Sequence, residues 1–162
     1  EINENELAGR LKVDRKTIAN YLDLLEKTFV IIRVYPFSKN PRREIGRRYK
    51  IYFIDLGLRN ALIGDYNIPN VRADLGHIWE NFLIIERLKK YANCGTSIRS
   101  NFWRNYGGAE VDYIEQELTK PEIKTFEFKY TDSKLSRGAL SFEKEYKCKT
   151  NVINKNNFME FI

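Results

Sequence analysis

Apolar positions recur at helical spacing at the start of the chain. Leu7, Ala8 and Leu11 form one stripe and Ile18, Tyr21, Leu22 and Leu25 a second. That period predicts two amphipathic helices. Asn3, with Glu6 three residues later, caps the first over residues 3–11. Asp14, after the turn KVD, caps the second, RKTIANYLDLLEK. In both cases a side-chain oxygen can accept from the free N–H groups of a first helical turn. The period then changes. FVIIRVY and YKIYFID are short runs rich in β-branched and aromatic residues, predicted as two strands joined by a loop that holds Pro36 and Pro41. Asp55 opens a short helix, LGLRNALIG, that Gly64 closes. The polar stretch DYNIPNVRAD follows, and the division into domains is placed here, as residues 1–64 and 65–162.

The second part opens with a long helix over residues 74–92, with Leu75, Ile78, Trp79, Phe82, Leu83, Ile85 and Leu88 on a broad apolar face. Glu80 borders that face and needs a partner. IRSNFWRN, AEVDYIEQ and EIKTFEFKY, over residues 98–105, 109–116 and 122–130, are predicted as three consecutive antiparallel strands. A helix near 139–147 and a last strand, TNVIN, complete the pattern. Alternation along the third of these strands points Phe126, Phe128 and Tyr130 one way and Thr125, Glu127 and Lys129 the other. The expected fold class is α+β: an N-terminal winged helix-turn-helix, then an α/β domain.

Charge sharpens this picture. The chain carries 28 Lys and Arg against 22 Asp and Glu, a net charge of +6. The segment RVYPFSKNPRREIGRRYK alone supplies that excess: Arg33, Lys39, Arg42, Arg43, Arg47, Arg48 and Lys50 against Glu44. A localised excess at the tip of a wing fits the phosphate backbone of double-stranded DNA, while a solvated loop kept soluble by charge is the plainer alternative. Arg15, Lys16 and Asn20 open the outward side of the second helix, where a recognition helix meets phosphates and base edges. Such helix pairs also serve as protein-docking modules.

Composition excludes several classes. No apolar run has the length of a membrane span, and the polar, acidic opening EINENE is not expected to act as a signal peptide. Cys94, Cys148 and the lone His77 make a structural zinc site improbable on numbers alone. Two isolated thiols suit a cytoplasmic protein. No small-molecule ligand is expected. The chain begins EINENE and its one methionine is Met159, which suggests a piece of a longer protein.

Glu80 on a helix, Asp112 on a strand and Glu127-Phe128-Lys129 on the next strand form an ordered set. The Glu-x-Lys pattern occurs three times, but the Glu122 copy lies at a strand start and the Glu145 copy in a helix. An ion pair between Glu127 and Lys129, neighbours on one strand face, would explain the third copy without any chemistry. The ordered set resembles the PD-(D/E)XK, or restriction-endonuclease-like, nuclease fold. The resemblance implies that Glu80, Asp112 and Glu127 bind a divalent metal, Mg²⁺ or Mn²⁺, and that Lys129 orients or activates the attacking water. Such an ion would lower the cost of charge built up during phosphodiester hydrolysis.

ELAGRLKVDRKTIANYLDLLEKTFVI, YKIYFIDLGLRNALIG, GHIWENFLIIERLKK, FWRNYGGAEVDYI and FEFKY occur in that order along the chain. Together they resemble the C-terminal domain of unknown function that follows the ATPase module in predicted bacterial and archaeal AAA+ ATPases. The resemblance implies an upstream AAA+ ATPase domain as partner, with ATP bound only there, since the chain holds no GxxxxGK[ST] motif. The resulting expectation is a DNA-binding regulatory module with a nuclease-like scaffold. An active metal-dependent nuclease and a docking module without nucleic acid are the alternatives.

Overall fold

A computed structural model of the chain describes residues 1–38, 48–105, 107–120, 122–131 and 134–162. Among them the fold is mixed α+β, with six α-helices and one six-stranded mixed sheet. Helices α1 (Glu4–Leu11) and α2 (Arg15–Lys27) start where their caps predict. Asn3 accepts from the N–H groups of Asn5 and Glu6, and Asp14 from those of Lys16 and Thr17. Glu6 does not complete a capping box; its carboxylate pairs with Arg10 at 2.7 Å. Strands β1 (Ile31–Pro36) and β2 (Lys50–Phe53) form an antiparallel pair. Ala8, Ile18 and Leu22 from the helices share a core with Ile31 and Tyr49, so the helix pair rests on the base of this hairpin.

The hairpin also joins the sheet of the second part. β1 runs parallel to β3 (Ile98–Arg104), pairing Tyr35 with Asn101 and Pro36 with Phe102. Strands β4 (Glu110–Glu117) and β5 (Ile123–Phe128) continue the sheet antiparallel, and β6 (Thr150–Ile153) closes it parallel to β5. The strand order is β2-β1-β3-β4-β5-β6. Two helices cover opposite faces. α4 (Leu75–Asn93) buries Trp79, Leu83, Ile84 and Ile85 with Tyr113, Phe126 and Phe128. α5 (Arg137–Tyr146) buries Ala139 and Phe142 with Trp103, Val111 and Ile114. Gly138 has no room for a side chain, since a Cβ there would lie 2.5 Å from the Glu110 nitrogen. α3 (Leu56–Ile63) ends on Gly64 in the left-handed region, as its sequence predicts. α6 (Phe158–Phe161), absent from the expected elements, places Phe161 in the α4 core. Among the described residues no helix is long and apolar enough to cross a membrane.

Asn81 ties the hairpin to α4. It is buried, accepts from the Phe53 N–H at 3.0 Å and donates to the Phe53 carbonyl at 2.8 Å. Its amide thus supplies both bonds that a neighbouring strand would offer to the free edge of β2. Asn81→Leu strands both backbone groups and is expected to cost about 2 kcal/mol. Urea unfolding checks this: an unchanged midpoint would mean that water satisfies Phe53 equally well.

Candidate functional site

An irregularity in β4 sets the site. Asn101 pairs with Ile114 and Trp103 with Val111, so Asp112 and Tyr113 both oppose Phe102. Two residues against one make a β-bulge, which re-aims side chains. Val111 and Ile114 therefore serve the α5 core, while Tyr113 packs on the α4 side and Glu115 pairs with Arg87 of α4. Asp112 faces the α4 side as well. There it lines an open cleft of about 320 Å³ with Ala73, Asp74, Gly76, His77, Glu80, Phe128 and Lys129.

The cleft is charged and internally paired. One Asp112 oxygen accepts from the Phe128 N–H at 2.7 Å. Burial pushes the Asp112 carboxyl up to about 7, with further upward pressure from Glu80 and Glu110, against the Phe128 N–H and Lys50. Glu80 Oε1 accepts from the Lys50 ammonium at 2.8 Å and from the Tyr52 hydroxyl at 2.6 Å. The same ammonium makes a very short contact with Glu110 and lies 5.1 Å from the centre of the Phe102 ring. Burial opposes the Lys50 charge, but Glu80 and Glu110 outweigh it and raise the pKa above the ordinary lysine value. Burial and the Glu80 charge push the Tyr52 hydroxyl well above its usual range.

Glu127 lies elsewhere. It is 3% exposed, and β5 alternation puts it with Thr125 on the side away from Phe126 and Phe128. Its Oε2 accepts from the Ser136 N–H at 2.8 Å, at the start of α5. Its Oε1 lies 2.8 Å from the Lys129 ammonium. The structure thus brings Glu80, Asp112 and Lys129 to one cleft, and Glu127 is linked to it through Lys129. Among the described residues no group of three His, Cys, Asp or Glu side chains is placed to hold a metal ion. The residues as arranged do not fit the divalent ion that the nuclease resemblance implies: one acid faces the other helix, and Lys50 occupies Glu80.

The nucleic-acid candidates divide. Arg15, Lys16 and Asn20 are exposed on α2, and Arg15 pairs with Glu4 at 2.9 Å. Arg48 is exposed just before β2. Lys39, Arg42, Arg43 and Arg47 lie outside the described residues. Arg33 and Lys50, counted with the basic segment in sequence, belong to strands and are consumed by ion pairs with Asp23 and Glu26, and with Glu80 and Glu110.

Lys50, Tyr52 and Glu110 are the residues that sequence reading missed. Glu110 carried a legible signal, since it precedes Asp112 by two and shares its strand face. Lys50 and Tyr52 carried none, because their approach to α4 depends on β1 joining β3.

Residues 1–67 match a family described as a domain of unknown function (DUF8612), and residues 75–160 match one described as a domain of unknown function (DUF4143). No curated protein and no solved structure matches the chain.

Proposed function

This chain belongs to the DUF4143 family, and from that premise we propose that it is a double-stranded-DNA-binding regulatory module acting with an AAA+ ATPase domain. DUF4143 is commonly found in AAA-ATPase-associated proteins, which supports the partner. The observation that carries the DNA reading is one of placement. The start of α2, where Lys16 and Asn20 are exposed, shares one small core with the hairpin of β1 and β2, and Arg48 is exposed just before β2. In this reading α1, α2, β1 and β2 are a winged helix. The sheet from β3 to β6 is a PD-(D/E)XK scaffold whose acids are committed to internal partners. A live nuclease would need Glu127 to leave Ser136 and join Asp112.

Charge-driven binding depends on salt. If about five phosphates are neutralised, affinity for a short duplex is expected to fall on the order of 500-fold between about 50 and 200 mM salt. Lys16→Ala and Arg48→Ala should each lower the salt slope by about one and weaken all sequences alike. Fluorescence anisotropy in the presence of a chelator measures both. No detectable binding at low salt would overturn the proposal. Duplex cleavage that needs Mn²⁺ and disappears in Lys129→Ala would replace it with the nuclease reading.

A second reading, docking of a protein, draws on a different observation. Leu58, Leu62, Ile63, Tyr66, Ile68 and Val71 are exposed on α3 and the segment after it. An apolar run of this kind on a surface marks interaction sites.

A further inference from the structure

Lys50 sits between Glu80 of α4 and Glu110 of β4. Its ammonium touches Glu80 at 2.8 Å and Glu110 more closely still, and Asp112 lines the same cleft as Glu80. The side chain is only 13% exposed, so these contacts are held away from solvent, where opposite charges interact strongly. Tyr52, two residues along the same strand, donates to the same Glu80 oxygen at 2.6 Å. Alternation places Lys50 and Tyr52 on one face of β2, so a single strand delivers both groups. That strand belongs to the N-terminal hairpin, while the acids stand on α4 and β4.

We propose that Lys50 is a tethered counter-ion that replaces a divalent cation at the Glu80–Glu110–Asp112 cluster, with Tyr52 as the positioning residue that holds Glu80 against it. The cleft keeps its charge balance without a metal. The same contact fastens the hairpin to the sheet, so the cluster is complete only when the N-terminal hairpin is docked. Among the described residues no three acids are placed to hold a metal. Glu80 and Glu110, left without this ammonium, repel each other, and a divalent cation takes its place only as their side chains close on it. With Lys50 present the cation must displace a covalently attached competitor at very high effective concentration.

The inference is independent of DNA binding, and its test reads metal rather than nucleic acid. Melting temperature is measured with chelator and with about 1 mM Mn²⁺ for the wild type, Lys50→Met, Lys50→Arg and Lys50→Met/Asp112→Asn. Methionine keeps an unbranched apolar stem and removes the ammonium that lies over Phe102 and donates to Glu80. The wild type and Lys50→Arg are expected to melt at the same temperature with and without Mn²⁺. Lys50→Met should melt lower in chelator and recover by several degrees in Mn²⁺, and the double variant should lose that recovery. Should Lys50→Met be unfolded in chelator, Mn²⁺ should restore its circular dichroism spectrum. A wild type stabilised by Mn²⁺ as much as Lys50→Met overturns the proposal. So does a Lys50→Met protein, folded or unfolded, on which Mn²⁺ has no effect. Failure of DNA binding would leave these outcomes unchanged.

Discussion

Asp112→Asn is expected to stabilise the protein at pH 8, and to flatten its stability between pH 5 and pH 8 in the presence of a chelator. In the folded chain burial, Glu80 and Glu110 push the Asp112 carboxyl up to about 7, from an ordinary 3.8. The folded state therefore holds a proton through a pH window in which the unfolded state has lost it. By linkage, stability falls as pH rises from about 4 to about 7, and the full penalty applies above that. Three pKa units correspond to about 4 kcal/mol, reduced to roughly 3 kcal/mol for the residual solvent at a cleft wall. Asparagine carries no charge to desolvate, and its side-chain oxygen can still accept from the Phe128 N–H. Urea unfolding at pH 5 and pH 8 is the measurement. A variant less stable than the wild type at pH 8 would mean that Asp112 is ionised and well paired there.

Arg87 provides the opposite case, a charge whose removal is costly. Its guanidinium donates to both Glu115 oxygens, at 3.0 and 2.7 Å, to the Tyr91 hydroxyl at 2.8 Å and to the Phe161 carbonyl. It also lies 4.6 Å from the ring centres of Tyr91 and Phe161. Glu115 is 2% exposed. Among the described residues Arg87→Met leaves this carboxylate buried with the Tyr91 hydroxyl as its remaining side-chain donor, and is expected to cost about 3–5 kcal/mol. It should also loosen α6, whose Phe161 carbonyl loses its partner. Arg87→Met/Glu115→Leu should be less damaging than Arg87→Met alone, because the stranded charge has gone. Equal losses in the two variants would show that ring packing, not charge, holds this side of the sheet.

Local chemistry was legible where one residue decides the outcome. Asn3, Asp14, Asp55 and Gly64 mark helix ends, and side chains or backbone at those positions make the capping bonds. The antiparallel order of β3, β4 and β5 could also be read, since short turns join neighbours in a meander. The pairing of β1 with β3 could not, because strands far apart in sequence meet only through long-range packing. That contact brings Lys50 to Glu80 and moves it from the wing charge to the cleft.

The bulge at Asp112 and Tyr113 was equally hidden. Simple alternation puts Asp112 and Glu127, on adjacent strands, within reach of one ion. The bulge turns Asp112 toward α4, while regular alternation leaves Glu127 facing α5, where the Ser136 N–H holds it. The resemblance to a nuclease rested on element order and residue type. Register, which decides where each carboxylate points, leaves no mark on composition or spacing.

A crystal structure determined after soaking in Mn²⁺, read for anomalous scattering, bears most directly on the internally neutralised cleft. The expected result is the Lys50 ammonium between Glu80 and Glu110, Glu127 on the Ser136 N–H, and no manganese beside Asp112. Manganese held by Asp112 and Glu127, with Lys50 swung away from Glu80, would contradict it.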